Sequence, residues 1–375
     1  MNPSADFGQT LLNILMVNEG NLPRRFLGEE LFPKLLARTL TLPPKIPGHL
    51  ELLNEINSET TERERLLLYN FLAQVWSGTG DVLEIGPFLG GTTRAMALGM
   101  RQNPQRDLGA RLYTYDKFEK YYSSEQLLSA LDHLFQKGIV PEEAKDRIRK
   151  SDNFLEIFQL LHKDQEYYPI IRPRVGVLPS TKDEVGELER VFALDKGQEF
   201  EIIFVDGCKG WYPTKYFMQT VAPHTKPGTY FIFQDYGWYT CFWIAAFVNI
   251  MSRYFNFITS VDDIYVFKLE KDLAAPEIDV VFPDTAQELG AGFFDALFAG
   301  LSERALELED MNGYFRHQLH RVSSLAYLGV KPEALRILRE LFDFPYFKSR
   351  ENYVAAINSA LRVPAYTPEG NVRFH

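Results

Sequence analysis

The sequence predicts an α/β fold: a doubly wound, mostly parallel sheet preceded by a helical arm and followed by a helical extension. Three observations predict it. From Thr61 to Lys271, short apolar runs ending in glycine or an acid alternate with stretches of helical periodicity. The segments between these runs contain helical patterns, as parallel strands joined by right-handed crossovers require. On either side the strand-like runs give way to helical patterns and proline punctuation. The chain accordingly divides into an arm over residues 1–60, an α/β domain over 61–271 and an extension over 272–375.

In the arm, "NLPRRF", "LFPKLL" and "LTLPPKIPGHL" are short helical patterns broken by prolines, with Pro43, Pro44 and Pro47 marking an extended connector. "TERERLLLYNFLAQVW" is a helix with charges in its first turn. "DVLEIG" is a strand, "GTTRAMALGMRQ" a helix, and "ARLYTYD" a strand that stops at Asp116. Helical patterns fill about residues 117–173, and "IIRPRVGVLP" holds a third strand. "FEIIFVDG" and "GTYFIFQDY" are strands separated by the helix "PTKYFMQTVAPH". After the helix "WYTCFWIAAFVNIMSRYF", "FNFITSV" and "DIYVFKLE" form an antiparallel pair. In the extension, "GYFRHQLHRVSSLAYLG" ends at a Gly329 cap, and Pro332 opens the helix "KPEALRILRELF". Phe315, Leu319, Val322 and Ala326 share one face.

Composition excludes several classes. The hydrophobic fraction of 46% is that of a globular core. A net charge of −10 offers no field for phosphate backbones, which excludes a nucleic-acid partner. Cys208 and Cys241 make no disulfide framework and point to a reducing compartment, hence a cytoplasmic protein. "LLNILMV" near the start lacks the basic cluster of a leader. The apolar run from Tyr239 to Met251 falls short of the roughly 20 residues a bilayer requires.

The chemistry centres on "DVLEIGPFLGGTTRAM", where Gly86, Gly90 and Gly91 mark a strand-to-helix turn behind Glu84. In an open α/β sheet, ligands bind at the carboxyl ends of the strands. A pyrophosphate-bearing dinucleotide favours G-x-G-x-x-G. Here an acid stands inside the motif and the glycines are spaced differently. Glu84 suits a ligand carrying an ammonium and a sulfonium, and Asp116 is placed for ribose hydroxyls. S-adenosylmethionine, with a ribose and no phosphate, fits these residues, and Thr92 and Thr93 at the helix start are counted with them. The alternative is a turn whose glycines only let helix pack on strand.

"VLEIGPFLGGTT", "YTYDKFE", "IIFVDG" and "FIFQDY" together resemble the ordered signatures of class I S-adenosylmethionine-dependent methyltransferases. The "VDG" and "QDY" elements are most similar to the macrocin O-methyltransferase group. The resemblance covers about Thr61 to Lys271. It implies a Rossmann-like fold and methylation of hydroxyls, often on sugars of natural products, with a divalent metal. At two places the chain departs from that pattern. An acid pair common ahead of the later Tyr is Gln234-Asp235 here, and Cys208-Lys209 follows the "DG" where relatives carry an acid.

Asp206 and Asp235 end consecutive strands, which places them about 5 Å apart. Two carboxylates at that spacing invite a hard cation such as Mg2+. A metal-bound hydroxyl gives up its proton more readily, and Asp206 is placed as ligand, base and cofactor contact. Lys209 is the second catalytic candidate, able to pair with Asp206 in place of a metal; facing solvent is its alternative. Trp211, Tyr212, Tyr236 and Trp238 follow these strand ends as either a stacking wall or core. His317 and His320 read as solvated. The expected function is O-methylation of a small molecule, metal-assisted, with a homodimer as the candidate assembly. A metal-independent N- or C-methyltransferase and a non-catalytic scaffold of the same fold are the rivals.

Overall fold

The computed structural model describes residues 31–119, 121–151, 153–238, 240–307, 309–344, 364–366 and 372–374. The "LLNILMV" and "NLPRRF" patterns lie outside them. Five parallel strands form the body of the sheet: β1 (Asp81–Ile85), β2 (Leu112–Asp116), β3 (Ile171–Val175), β4 (Phe200–Val205) and β5 (Tyr230–Phe233). The expected antiparallel pair, β6 (Phe255–Val261) and β7 (Ile264–Leu269), completes it with β7 against β5. The order is β3-β2-β1-β4-β5-β7-β6. Strand order reverses between β1 and β4, which makes that gap the switch point where such sheets bind ligands.

Alternation along the strands builds two cores. Val82, Leu112, Ile202, Phe204 and Ile232 face one side. There they meet α1 (Leu31–Leu40), α2 (His49–Glu55), α3 (Glu62–Gln74), α4 (Gly91–Gln102), α5 (Ser124–Gln136), α6 (Ala144–Lys150) and α7 (Leu155–His162). The arm is therefore part of this core: Phe32, Leu36, Leu40, Leu53 and Ile56 are all buried in it. Thr61 and Glu64 form a capping box at the start of α3, and Glu64 also accepts the Asp263 N–H at 3.0 Å, docking the helix on the β6–β7 turn.

Leu83, Ile85, Ile203, Val205, Phe231 and Phe233 face the other side, against α8 (Trp211–Val221) and α9 (Phe242–Ile250). The extension continues this layer through α10 (Ala275–Val281) and α11 (Ala291–Glu307). Trp211 stacks on Phe282 with centroids 3.9 Å apart, and its indole N–H donates to the Pro283 carbonyl at 2.8 Å. Buried Lys215 pairs with Asp279 at 2.8 Å and Asp284 at 2.5 Å. Trp211, Tyr212 and Tyr236 are therefore core, and only Trp238 among the four expected wall aromatics is exposed.

Beyond these, α12 (Met311–Tyr327) and α13 (Lys331–Asp343) bury Phe315, Leu319, Val322, Ala326, Ile337 and Leu338 against each other. His317 and His320 are not solvated. His320 is buried with its Nε2–H on the Trp238 carbonyl at 3.2 Å, and burial lowers it to about 3; half-buried His317 falls to about 4 for the same reason. No helix among the described residues is long and apolar enough to cross a membrane.

Phe294 has no exposed surface and meets both Trp211 and Phe242 edge-on. Phe294→Ala should cost about 3–5 kcal/mol, the usual range for emptying such a site. Urea unfolding should show it as one cooperative transition at a lower midpoint. A first transition split from the rest would mean that the extension folds apart from the sheet.

Candidate active site

The site is built where β1 and β4 end. Gly86 has φ 87°, and a Cβ there would lie 2.8 Å from the Asp206 carbonyl carbon and 2.9 Å from the Gly207 nitrogen. Only glycine lets the two strand ends come this close. The Asp206 N–H donates to the Ile85 carbonyl and the Gly86 N–H to the Tyr115 carbonyl, each at 2.9 Å. Phe88 (φ 50°), Phe118 (φ 54°) and Asp235 (φ 62°), in the turns after β1, β2 and β5, are held in the left-handed region. Each such residue costs about 1–3 kcal/mol, so the surrounding bonds over-determine these turns.

The other two glycines make room for protein. A Cβ on Gly90 would sit 2.0 Å from the His162 Nε2, and one on Gly91 would sit 2.7 Å from the Ser58 Cβ of the arm. Behind the turn lies a buried polar chain that the sequence reading did not find. The Leu89 carbonyl can only accept, so His162 donates to it from Nε2 at 3.1 Å. Nδ1 then accepts from the Tyr167 hydroxyl at 3.0 Å, which itself accepts from the Arg94 Nε at 2.7 Å. Arg94 continues to Glu55 at 2.5 Å and to the carbonyls of Leu52 and Leu161. Burial, aided by Arg94, lowers His162 to about 3 and keeps it neutral. A lone His and a lone Arg inside helical patterns gave no signal of this pairing.

Glu84 departs from its expected role. Strand alternation turns it, with Val82, under α4, where it has no exposed surface. Its two oxygens accept from the Thr92 hydroxyl at 2.7 Å and the Thr93 hydroxyl at 2.6 Å. Both threonines thus bind Glu84 and tie strand to helix. Burial raises the Glu84 carboxyl to about 7, against the lowering effect of the Thr93 and Thr92 hydrogen bonds.

Asp116 is partly exposed at the end of β2. It accepts the Phe118 N–H at 2.8 Å and the Phe88 N–H at 3.4 Å. A carboxylate offers about four acceptor positions, so capacity remains for a hydroxyl donor such as that of a ribose. Asp116, the partly exposed acid at the corner, opposes a pyrophosphate, whereas Glu84 is sealed beneath the helix and faces no ligand. The acceptor capacity at the corner therefore suits the hydroxyls of a ribose.

The metal expectation fails on geometry. Asp206 and Asp235 do converge, but the ammonium of Lys209 lies between them. It donates to Asp206 Oδ1 at 2.9 Å and also to Asp235 Oδ2. A divalent ion would have to displace a cation that already pairs with both acids. Among the described residues, no group of three or more His, Cys, Asp or Glu side chains is arranged to hold a metal. Lys209 is thus turned into the site, its side chain 35% exposed, and not out to solvent. Burial alone would lower the lysine, but Asp206 and Asp235 outweigh it and raise it. Burial raises Asp206; Lys209 opposes that rise and Asp235 adds to it.

Beside this cluster, Tyr121 and Tyr122 stack at 5.1 Å and 7°, with Phe88 edge-on to both. Both hydroxyls donate to Glu59 of the arm, and that of Tyr121 lies within reach of the Lys209 and Asp206 charges.

No model of a known protein family matches the chain, and no curated protein matches it. Solved structures similar to it include an O-methyltransferase from Bacillus cereus in complex with SAH. That protein is 16% identical, with a TM-score of 0.37 and coverage of 64% of this chain and 96% of that one. The O-methyltransferase NovP is 15% identical, with a TM-score of 0.34 and coverage of 72% and 100%. CalS11, a TDP-rhamnose 3'-O-methyltransferase of calicheamicin biosynthesis, is 14% identical, with a TM-score of 0.32 and coverage of 72% and 95%. Likeness at that level assigns neither a family nor a function.

The buried Glu84 yields a pH prediction. Its folded value of about 7 lies above the unfolded one, so the native state holds the proton more tightly. The Glu84 contribution to stability should therefore fall as pH rises from about 4.5 through about 7, by about 3 kcal/mol. Glu84→Gln should remove that dependence, so its stability relative to wild type should improve by about that much between pH 4 and pH 8. Urea titrations at the two pH values measure this, and parallel shifts in both proteins would count against it.

Proposed function

We propose that this protein is an S-adenosylmethionine-dependent methyltransferase that methylates a hydroxyl of a small molecule without a divalent metal. The observation that carries the reading is the placement of Asp116 and Asp206 on either side of the Gly86 corner, at the switch point of the sheet. When bound, S-adenosylmethionine supplies a methyl group on a sulfonium, already electrophilic. The protein's work is then to hold and deprotonate the acceptor.

Asp116 has acceptor capacity for ribose hydroxyls, and the backbone of Gly86 to Phe88 forms the floor between it and Asp206. Asp206 is the base. Lys209 fixes its Oδ1 and supplies the positive charge that a metal would otherwise bring. The expected metal-assisted route is set aside because Lys209 fills its place.

S-adenosylhomocysteine should bind the full-length protein in calorimetry, equally well with EDTA or Mg2+. Asp116→Ala should weaken it by about 1.5–3 kcal/mol, the loss expected for charge-assisted hydrogen bonds. No binding to the wild type would sink the cofactor assignment. Preference for NADH would point to an oxidoreductase.

A further inference from the structure

The aromatic tier beside the acid–lysine cluster has no part in the cofactor reading. Tyr121 is 43% exposed although it stacks on Tyr122 and meets Phe88 edge-on. Phe88 is also the residue whose N–H reaches Asp116, so this tier borders both the cofactor corner and the Lys209 cluster. The arm's Glu59 accepts from both tyrosine hydroxyls, which holds the two stacked rings parallel.

The cluster itself has a definite proton capacity. With Asp206 and Asp235 ionised and Lys209 protonated, two negative charges meet one positive charge, a net −1. Taking up one proton leaves it neutral. Two of the ammonium's three N–H groups have partners among the described residues, and the third is available to an acceptor oxygen. A carboxylate is a weak base for an alcohol, which holds its proton about as tightly as water does. A phenol, with a pKa near 10, is within its range.

We propose that the acceptor is a neutral phenol, its ring on the exposed face of Tyr121 and its hydroxyl at the Asp206–Lys209 pair. This rests on the methyltransferase reading. The phenolic proton passes to Asp206, and Lys209 holds the phenolate oxygen. The oxygen's electron pair forms the new carbon–oxygen bond as the methyl carbon–sulfur bond of S-adenosylmethionine breaks, the sulfur keeping that pair. An aryl methyl ether and S-adenosylhomocysteine result, and Asp206 returns its proton to water. Glu59 at the rim disfavours acceptors bearing carboxylate or phosphate by like-charge repulsion.

The test uses 4-nitrophenol, whose ionisation is read from its visible absorbance without turnover. Titrated into the full-length protein in EDTA, the bound probe should be ionised at least one pH unit below the free probe. Asp206→Asn should abolish that shift. Tyr121→Ala should weaken probe binding about tenfold, and Tyr121→Phe should restore it. With S-adenosylmethionine and EDTA, mass spectrometry should show the methyl ether of 4-nitrophenol and none of methyl α-glucoside. A bound probe that fails to shift, indifference to Asp206→Asn, methylation of the glucoside or a requirement for Mg2+ would each overturn the proposal. If S-adenosylhomocysteine fails to bind while the probe still ionises at Asp206, the cofactor reading fails and the phenol site stands.

Discussion

The close approach of β1 and β4 at Gly86 is the constraint on which the site depends. The absent Cβ lets the two strand ends touch through backbone, and that brings Asp206 to the same level as the turn before α4. Asp116, one strand away on β2, is then tied to the turn through the Phe88 N–H. Any side chain at Gly86 would push β4 outward and separate the two acids that the cofactor reading needs together.

Two polar devices hold that geometry from opposite sides. Beneath the turn, Glu84 binds the hydroxyls of Thr92 and Thr93, so the first strand and its helix share buried hydrogen bonds. Behind it, the chain from Leu89 through His162, Tyr167 and Arg94 to Glu55 runs from the loop into the arm. Every member of that chain has a partner, which is what a buried polar network needs to be worth its desolvation. The arm is therefore part of the architecture of the turn as well as of the hydrophobic core.

The Lys209 bridge changes the chemistry more than the fold. Two carboxylates at neighbouring strand ends repel, and something cationic must lie between them. A lysine three residues after Asp206 does this with a single fixed charge. It balances one acid and leaves the cluster able to take a proton, whereas a divalent ion would balance both. On the proposed reading, the same strand ends favour proton abstraction from an acidic hydroxyl over metal activation of an unreactive one.

What the sequence by itself determined is local. Apolar runs of strand length alternating with helical periods specify the elements, and the order of those elements, with right-handed crossovers, specifies a doubly wound sheet and the position of Asp116, Asp206 and Asp235 at strand ends. The tertiary structure decided which groups meet. Gly90 faces His162, 72 residues later in the chain, and Gly91 faces Ser58, 33 residues earlier. Lys209 joins acids that lie 3 and 26 residues away, and Trp211 turns from the site to stack on Phe282. Glu84 and His320 read as exposed or ligand-facing because their neighbours in sequence allow it, yet both are sealed in. Periodicity reports which face of its own element a residue occupies; the partner on the opposing element is set only by packing.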